Sequence, residues 1–269
     1  MIPVFAAFII SNSIKSVSYV FPPGSETKFS VKVQFDGYVP LFGGKTGKVD
    51  VDMIVKTVGI ASKSADLQSV DSEITELKGT AFGMILPVNK NNIGQFYPKA
   101  VASFESSGVV KSNTAEHKEM PVKLPGLDSQ RLPEISYVPL ILNNAATAKG
   151  EGYEFTRSFN GAPIMYKISP GTYDNEGRVV FKIEVNQESS GFEDSYGNPI
   201  VEEGAKSKLK TVLNGKGTAT FDMMNHMFDK LVVVTTGDTE VTVIKTGKTS
   251  KRTLKTTLTI VRDGAKVDE

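Results

Sequence analysis

Strict alternation of polar and apolar residues is the clearest pattern in this chain. Between Lys28 and Asp36 every second residue is apolar. Side chains on a strand point to opposite faces in turn, so this segment predicts a strand with one buried and one solvated face. Similar alternation recurs in three more segments. The side chains that we expect to be buried are Phe29, Val31, Val33, Phe35, Val49, Val51, Met53, Val55, Val179, Phe181, Ile183, Val185 and alternate residues of 254–260.

These strands predict an all-β, antiparallel fold of curved sheets or half-barrels, with two packed β units and one or two short helices. Lys28, Lys32, Gln34, Lys182 and Glu184 are expected on the solvated faces. The C-terminal region predicts a meander in which Gly237-Asp238 and Gly247-Lys248 form turns. Its four strands are expected at residues 218–221, 231–235, 240–244 and 253–261. Residues 97–104 and 223–230 are candidates for the short helices.

Residues 80–139 differ from their flanks because they contain six prolines and alternate poorly. We interpret the most polar part as an irregular connection, either a plain surface loop or a functional lid. The predicted organisation is a signal peptide at 1–13, an N-terminal β unit at 14–110, an irregular Pro-rich linker at 111–140 and a C-terminal β unit at 141–269. The strands of the two units follow a similar order, which leaves both a duplication and a chance likeness open.

The N-terminus carries the one targeting signal. Ile2–Ile10 is a short apolar run, followed by the small residues Ser11 and Ser13 around Asn12. This arrangement predicts a secretory signal peptide with cleavage near Ile14, and hence a periplasmic or secreted protein. No Lys or Arg precedes the run. The alternative is therefore a buried first strand.

Composition excludes several classes of chemistry. The chain has no cysteine, so disulfides, zinc–thiolate centres and thiol nucleophiles are absent. A net charge of +1 gives no reason to expect nucleic acid as a partner. No stretch reaches the roughly 18 apolar residues of an integral membrane span. The sequence also lacks nucleophile-elbow, zinc-protease, EF-hand and nucleotide-loop motifs, so we predict no cofactor, no metal and no catalytic residue.

A few residues remain as candidates for chemistry. His117 is expected in solvent, and His226 at the edge of the core. Asp50 and Asp52 share the polar face of one predicted strand. The Gly-rich segment 41–48 lies between strands, which favours a hairpin loop over a phosphate site. The basic run 245–255 lacks interleaved aromatic residues, so we interpret it as a solvated hairpin tip.

The densest acidic cluster contains Glu193, Asp194, Glu202 and Glu203. We expect these carboxylates to be solvated because they flank turn residues. The alternative is that they serve a hydrolase acting on a cell-surface polymer, for which two carboxyl groups about 5–10 Å apart in a cleft are required.

Two passages resemble a group of uncharacterised bacterial exported β-rich proteins that share a domain of unknown function. The first is Pro133–Leu142 followed by Gly150–Phe155, where a Pro/Leu segment leads to a strand start. The second is Gly215–Asp222, similar to a strand that precedes the last hairpins. This chain has Tyr153 where the group has Trp and Glu151 where it has Asp. The resemblance covers mainly the C-terminal half and implies an extracytoplasmic β protein without a known activity.

We therefore expect a non-enzymatic exported binding or structural protein whose curved sheet holds an apolar or lipid-like ligand. An apolar sheet face has few segments available to cover it, which favours an open groove. Met and Phe adapt to irregular apolar ligands, so they are the candidates for its mouth. The predicted ligand-binding residues are Phe82, Met84, Ile85, Phe96, Phe104, Met223, Met227 and Phe228.

Overall fold

The computed structural model describes residues 14, 16–38, 45–96, 99–114, 132–159, 162–197 and 199–265. Within them lie fourteen strands and three short helices. The strands are β1 (Glu26–Tyr38), β2 (Thr46–Ile60), β3 (Leu67–Ala81), β4 (Met84–Ile85), β5 (Ala100–Glu105), β6 (Val110–Asn113), β7 (Tyr153–Phe159), β8 (Ala162–Ile168), β9 (Thr172–Tyr173), β10 (Val179–Glu193), β11 (Pro199–Ile200), β12 (Ser207–Asp222), β13 (Met227–Val243) and β14 (Thr249–Arg262). The helices are α1 (Ile93–Phe96), α2 (Leu132–Tyr137) and α3 (Asn144–Lys149).

All fourteen strands belong to one antiparallel sheet, in the order β6-β5-β3-β2-β1-β14-β13-β12-β10-β8-β7. The two-residue strands β4, β9 and β11 are attached to β3, β10 and β10. The pairing of β1 with β14 joins the two ends of the chain in a continuous ladder. In the described part of the chain the sheet is open, with β6 and β7 as its ends. The all-β, antiparallel class predicted from alternation is confirmed.

The register places the alternating apolar residues of neighbouring strands in cross-strand rows on one face, the concave face. Val31 lies between Met53 of β2 and Ile260 of β14. Farther along, Phe181 lies opposite Ala219. The predicted core residues of β1 and β10 are all buried. Of the expected outward residues, Lys28, Lys32, Lys182 and Glu184 are exposed and Gln34 is half-buried.

The turn predicted at Gly237-Asp238 is wrong, because β13 runs unbroken from Met227 to Val243. Gly237 lies opposite Leu213 on β12. A Cβ at this position would lie 1.9 Å from the carbonyl oxygen of Val212. This glycine therefore permits the close approach of two strands. In the sequence it has the same appearance as a glycine that marks a turn.

The two predicted helical segments are also wrong where the structure describes them. Residues 100–105 form β5, and residues 223–226 form a turn that leads into β13 at Met227. The short helices lie elsewhere, at α1, α2 and α3. Met and Phe side chains suit a helix and a strand equally well, so short apolar runs do not distinguish them.

Two segments outside the sheet lie on the concave face and complete the core. We call residues 14, 16–21 and 135–142 the plug, of which 135–137 are the end of α2. Buried side chains of both segments belong to the same core cluster as the sheet. Tyr19 packs against Phe221 and Phe228, with ring centroids 5.9 and 5.7 Å apart. Phe21 packs against Tyr137 at 5.8 Å. The concave face at this end is thus covered by the chain's own aromatic side chains.

Side chains satisfy the backbone of the plug, which has no ladder of its own. The Tyr19 hydroxyl donates to the Leu140 carbonyl at 2.8 Å and accepts from the Leu140 N–H at 3.3 Å. The Gln68 amide accepts from the Phe21 N–H at 2.6 Å and donates to the Tyr19 carbonyl. A buried backbone group without a partner is costly, so these contacts fix where the plug lies.

The division into units at 14–110, 111–140 and 141–269 stays a prediction. Residues 110–113 form β6, and residues 135–140 of the expected linker are buried in the plug. The predicted signal peptide at 1–13 lies outside the described residues. Ile14, directly after it, is buried in the core.

Candidate functional site

A narrow crevice opens on the concave face where the plug ends. It lies between the plug residues Ile135 and Pro139 and the strands β8, β10, β13 and β14, and its volume is about 30 Å³. The lining is almost wholly apolar. It consists of Ile135, Pro139, Ile164, Tyr166, Val185, Leu231, Val233, Thr235, Thr256 and Leu258.

The register explains why these side chains meet. Val233 lies opposite Leu258 on β14, and Thr235 lies opposite Thr256. On the other side of β13, Gly217 and Gly215 stand opposite the same two residues. A Cβ at Gly217 would lie 2.8 Å from a methyl group of Val233, and one at Gly215 would lie 2.5 Å from the methyl group of Thr235. These glycines therefore let β12 and β13 approach closely beneath the side chains that line the crevice.

An aromatic pair forms one wall of this region. The rings of Phe155 and Tyr166 are stacked, with centroids 4.7 Å apart and an interplanar angle of 8°. Both point inward, since Tyr166 pairs with Val185, yet both are only half-buried. Burial raises the pKa of Tyr166, and the nearby Arg157 acts in the opposite direction. The pair presents partly uncovered apolar surface toward the concave side.

Arg157 connects this wall to the plug. Its side chain is buried, and one guanidinium nitrogen donates to the Val138 carbonyl at 2.7 Å. The guanidinium also lies 6.0 Å from the centre of the Phe155 ring. Arg157 therefore holds the plug segment beside the crevice, where a shift of Pro139 changes the width of the opening.

Beyond the crevice, rows of paired hydroxyls alternate with apolar rows such as Leu213 and Leu254. The hydroxyl of Thr235 is hydrogen-bonded to that of Thr256, and the hydroxyls of Thr211 and Thr239 form a second pair at 2.9 Å. Paired hydroxyls satisfy each other, so these rows remain buried at little cost. The apolar site is thus bounded by the plug at one end and by threonine pairs at the other.

A buried ionic group lies farther along the same face. The Tyr38 hydroxyl donates to both Glu193 carboxylate oxygens, at 3.3 and 3.2 Å. The Arg252 guanidinium lies 4.8 Å from the centre of the Tyr38 ring. Burial and the Glu193 charge raise the pKa of Tyr38, while Arg252 lowers it. Tyr38 faces inward because Gly37 has a φ of 118°, which interrupts the alternation after Phe35.

The expectation that the whole acidic cluster is solvated is wrong at Glu193, which is only 4% exposed. Strand β10 continues to this residue and turns its side chain inward. Glu202 and Glu203 are exposed, and Asp194 is half-buried. The four carboxylates therefore do not share one environment, and we propose no hydrolase.

The eight predicted ligand-binding residues are distributed over several places. Phe104, Met227 and Phe228 are buried in the core, where Phe104 packs against Phe21 and Phe228 against Phe221. Phe82 and Met223 are half-buried at its margin, and Met84 and Ile85 are exposed. Phe96 lies in α1, and its side chain is outside the described part. One core cluster contains Phe104, Met227 and Phe228, and Phe82 and Met223 pack against it, whereas the crevice lining contains none of the eight.

Sequence reasoning missed the crevice residues because their strand carries a mixed pattern. On this strand the inward residues Val233 and Thr235 alternate with outward residues. One apolar and one hydroxyl side chain on the inward face are typical of an ordinary half-buried strand. The Gly215-x-Gly217 pair on the neighbouring strand signals a close approach of two strands. Sequence alone does not indicate that these glycines lie opposite Val233.

Other sequence candidates have structural roles. Asp50 accepts a hydrogen bond at 2.6 Å from Gln34 across the β1–β2 ladder. His226 is half-buried in the turn before β13, and its carbonyl accepts from the Val20 N–H at 3.1 Å. His117 and residues 41–44 lie outside the described part. Among the described residues, no three His, Asp or Glu side chains form a group suited to a metal ion.

A larger depression of about 240 Å³ lies on the convex face. Its rim carries side chains of both charges, among them Glu154, Lys167, Glu184 and Lys216, with the hydrogen-bonded amides of Asn186 and Asn214 between them. Cross-strand pairs of opposite charge are typical of the solvated face of a sheet. The apolar crevice is therefore the better candidate for a binding site.

Comparisons with known proteins assign no family. No family model matches the chain, and no curated protein matches it. Lipovitellin, from a structure on its lipid–protein interactions, is similar over 93% of this chain and 26% of its own, with a TM-score of 0.49 and 10% identity. DynF of the dynemicin biosynthesis pathway of Micromonospora chersina is similar over 96% of this chain and 92% of its own, with a TM-score of 0.20 and 9% identity. The chain spans about a quarter of the lipovitellin chain. Both likenesses are too weak to assign a function.

Proposed function

We propose that this protein is a non-enzymatic binding protein that holds an apolar or lipid-like molecule in the concave crevice. The observation that carries the proposal is the apolar crevice beside the plug, continued by the half-buried Phe155–Tyr166 pair. Small-molecule sites are typically concave and apolar, with a few polar groups that fix orientation. The threonine pair at Thr235 and Thr256 supplies such groups here.

The size of the crevice sets a condition on this function. Its volume of about 30 Å³ is close to that of one water molecule and far below the roughly 300 Å³ of a typical ligand site. An acyl chain therefore enters only if the plug segment around Pro139 moves away from the sheet. Helix α2 precedes this segment and α3 follows it, so the segment is held at both ends. Ligand binding is thus coupled to a displacement of the plug.

Filling the crevice tests the proposal. The chain contains no Trp, so one introduced Trp is a unique fluorophore. Val233→Trp places an indole in the crevice, whereas Val232→Trp, its neighbour on β13, points outward and is the matched control. We expect delipidated wild-type protein and Val232→Trp to bind a fluorescent fatty acid saturably, and Val233→Trp to lose that binding.

Thermal unfolding of both variants separates lost binding from lost folding. If Val233→Trp is folded and binds the probe as well as Val232→Trp does, the crevice is not the site. If delipidated wild-type protein shows no saturable binding at all, the proposed function is wrong and a purely structural role remains.

Export is the second part of the proposal. Its support is the Ile2–Ile10 apolar run and the small residues Ser11 and Ser13 that follow it. N-terminal sequencing of the native protein should start near Ile14; an intact Met1 would contradict export.

A further inference from the structure

Four strands continue past the end of β1 and form a projecting ribbon. The last pair between β1 and β14 is Gly37 with Leu254. Beyond it, residues 188–193 of β10, 207–212 of β12, 238–243 of β13 and 249–253 of β14 remain paired with one another. We call this ribbon and its connecting turns the strand extension.

The tip of the strand extension exposes several large apolar side chains. Tyr196 is 79% exposed, Val201 72% and Ile244 49%, and Ile200 and Val243 are exposed by about 40% each. Backbone contacts bring their turns together. The Ile244 N–H donates to the Lys206 carbonyl, and the Lys206 N–H donates to the Glu193 carbonyl, at 2.9 and 2.8 Å. Isolated exposed apolar residues are common, but a group at one tip indicates an interaction surface.

One hairpin of the tip is basic. The β13–β14 turn carries Lys245 and Lys248, both exposed, and residues 241–253 contain no Asp or Glu. Lys251 lies 3.5 Å from the Glu240 carboxylate, across the ladder. Glu202 and Glu203 are the exposed acidic residues of the neighbouring turn, so the hairpin is the basic part of the tip.

We propose that the tip of the strand extension docks on an anionic bilayer surface. The exposed apolar side chains Tyr196, Val201 and Ile244 lie on turns, where they reach below the headgroups, instead of on a flat face that suits a folded protein. Tyr is enriched at membrane interfaces because its ring is apolar and its hydroxyl polar. Lys245 and Lys248 keep their ammonium groups at the level of the lipid phosphates.

The proposed docking surface does not overlap the crevice. Val243 lies eight residues beyond Thr235 along β13, so the docking surface and the crevice are separate parts of the same strand. Lipid binding in the crevice and bilayer docking at the tip are therefore lost or kept separately, and different variants test them.

Vesicle co-sedimentation tests the docking surface. The wild-type protein should bind phosphatidylcholine vesicles that contain phosphatidylglycerol, bind pure phosphatidylcholine more weakly, and dissociate at high salt. Each Lys near an anionic membrane contributes roughly fivefold in affinity, so Lys245→Gln with Lys248→Gln should weaken binding roughly thirtyfold. The matched control is Lys28→Gln with Lys32→Gln, two exposed lysines on β1, which should bind like wild type.

A second pair of variants tests the contribution of the exposed apolar side chains to vesicle binding. Ile244→Ser should weaken vesicle binding, whereas Ile85→Ser, at an exposed isoleucine of β4, should not. Circular dichroism and melting temperatures confirm that all four variants are folded. No binding of wild-type protein to anionic vesicles would overturn the proposal, and so would equal losses in the test and control variants. Self-association that Ile244→Ser abolishes, without vesicle binding, would assign the surface to a second copy of the chain.

Discussion

The covered and open parts of the concave face are built from the same strands but differ in what lies on them. At the covered end, Phe29, Phe181 and Phe221 meet the plug and are completely buried. At the crevice, which is the open end, β13 and β14 carry the buried Thr235 and Thr256 and the half-buried Leu258. Alternation is equally regular at both ends. Alternation therefore predicts which strand face is turned inward, whereas the packing on that face depends on where the plug lies.

The two ends also differ in how their polar groups are held. At the covered end, the Arg262 guanidinium contacts the carboxylates of Asp222 and Asp229, and Asp229 is 4% exposed. This group ties β14 to the β12–β13 turn. At the open end, the rows nearest the crevice pair neutral hydroxyls, as Thr211 and Thr239 do, and the buried Glu193 lies beyond them beside Tyr38. A charge removed from the first group leaves a buried ion, whereas a hydroxyl removed from the second does not.

The largest expected effect on stability comes from packing, which should be tighter at the covered end than at the open end. Phe181→Ala removes a completely buried ring at the covered end and should cost roughly 3–5 kcal/mol of unfolding free energy. Val233→Ala at the crevice removes two methyl groups beside existing space and should cost about 1.5 kcal/mol or less. Chemical denaturation measures both. A loss below about 1 kcal/mol for Phe181→Ala would show that the covered end is not the better-packed one.

The ionic group at the covered end gives a comparable prediction with a pH dependence. Arg262→Ala leaves Asp229 buried without its cation and should cost roughly 3–5 kcal/mol near neutral pH. Lys210→Ala, at an exposed pair with Glu188, should lower the unfolding free energy far less, because solvent screens that pair.

The sign of the pH effect follows from Asp229. Burial raises the pKa of Asp229, against the lowering effect of Arg262. Without Arg262 this pKa rises further, so the folded variant retains a proton that the unfolded chain releases. Its stability therefore falls as pH increases above the ordinary Asp pKa of about 4. Melting temperatures between acidic and neutral pH should show the deficit of Arg262→Ala shrinking in acid; a constant deficit would contradict this role of Asp229.

A smaller effect on stability is expected at Gly237, where β12 and β13 approach closely. Gly237→Ala forces a methyl group against the Val212 carbonyl, or shifts the strand, and should cost about 1–3 kcal/mol. Gly191→Ala on β10 is the control, because a Cβ there meets nothing within 4 Å. Denaturant titration of the two variants makes the comparison. Equal stabilities would indicate that the strands at Gly237 separate easily.

How far the sequence anticipated the fold depends on the range of the interactions involved. The buried sets Phe29–Phe35 and Val179–Val185 were predictable because alternation is a property of neighbouring residues. The burial of Glu193 was not, since it depends on β10 continuing past its turn-like residues and on Tyr38 reaching it from another strand. The positions of the predicted ligand-binding residues depend on the same long-range contacts. Met84 and Phe228 are both large apolar residues. Only the register of the strands exposes Met84 and buries Phe228 in the core.

The sequence by itself determined the strand faces, the antiparallel all-β class, the absence of cysteine chemistry and the basic hairpin. Each of these follows from local periodicity or from composition. Tertiary structure alone decided that the first and last strands pair, that Gly237 serves a close approach, and that the plug lies on the concave face. These outcomes depend on contacts between residues far apart in sequence, from Gly237 with Val212 to the bond from Tyr19 to Leu140. The free energy of such a contact depends on which groups meet, and a local pattern does not contain that information.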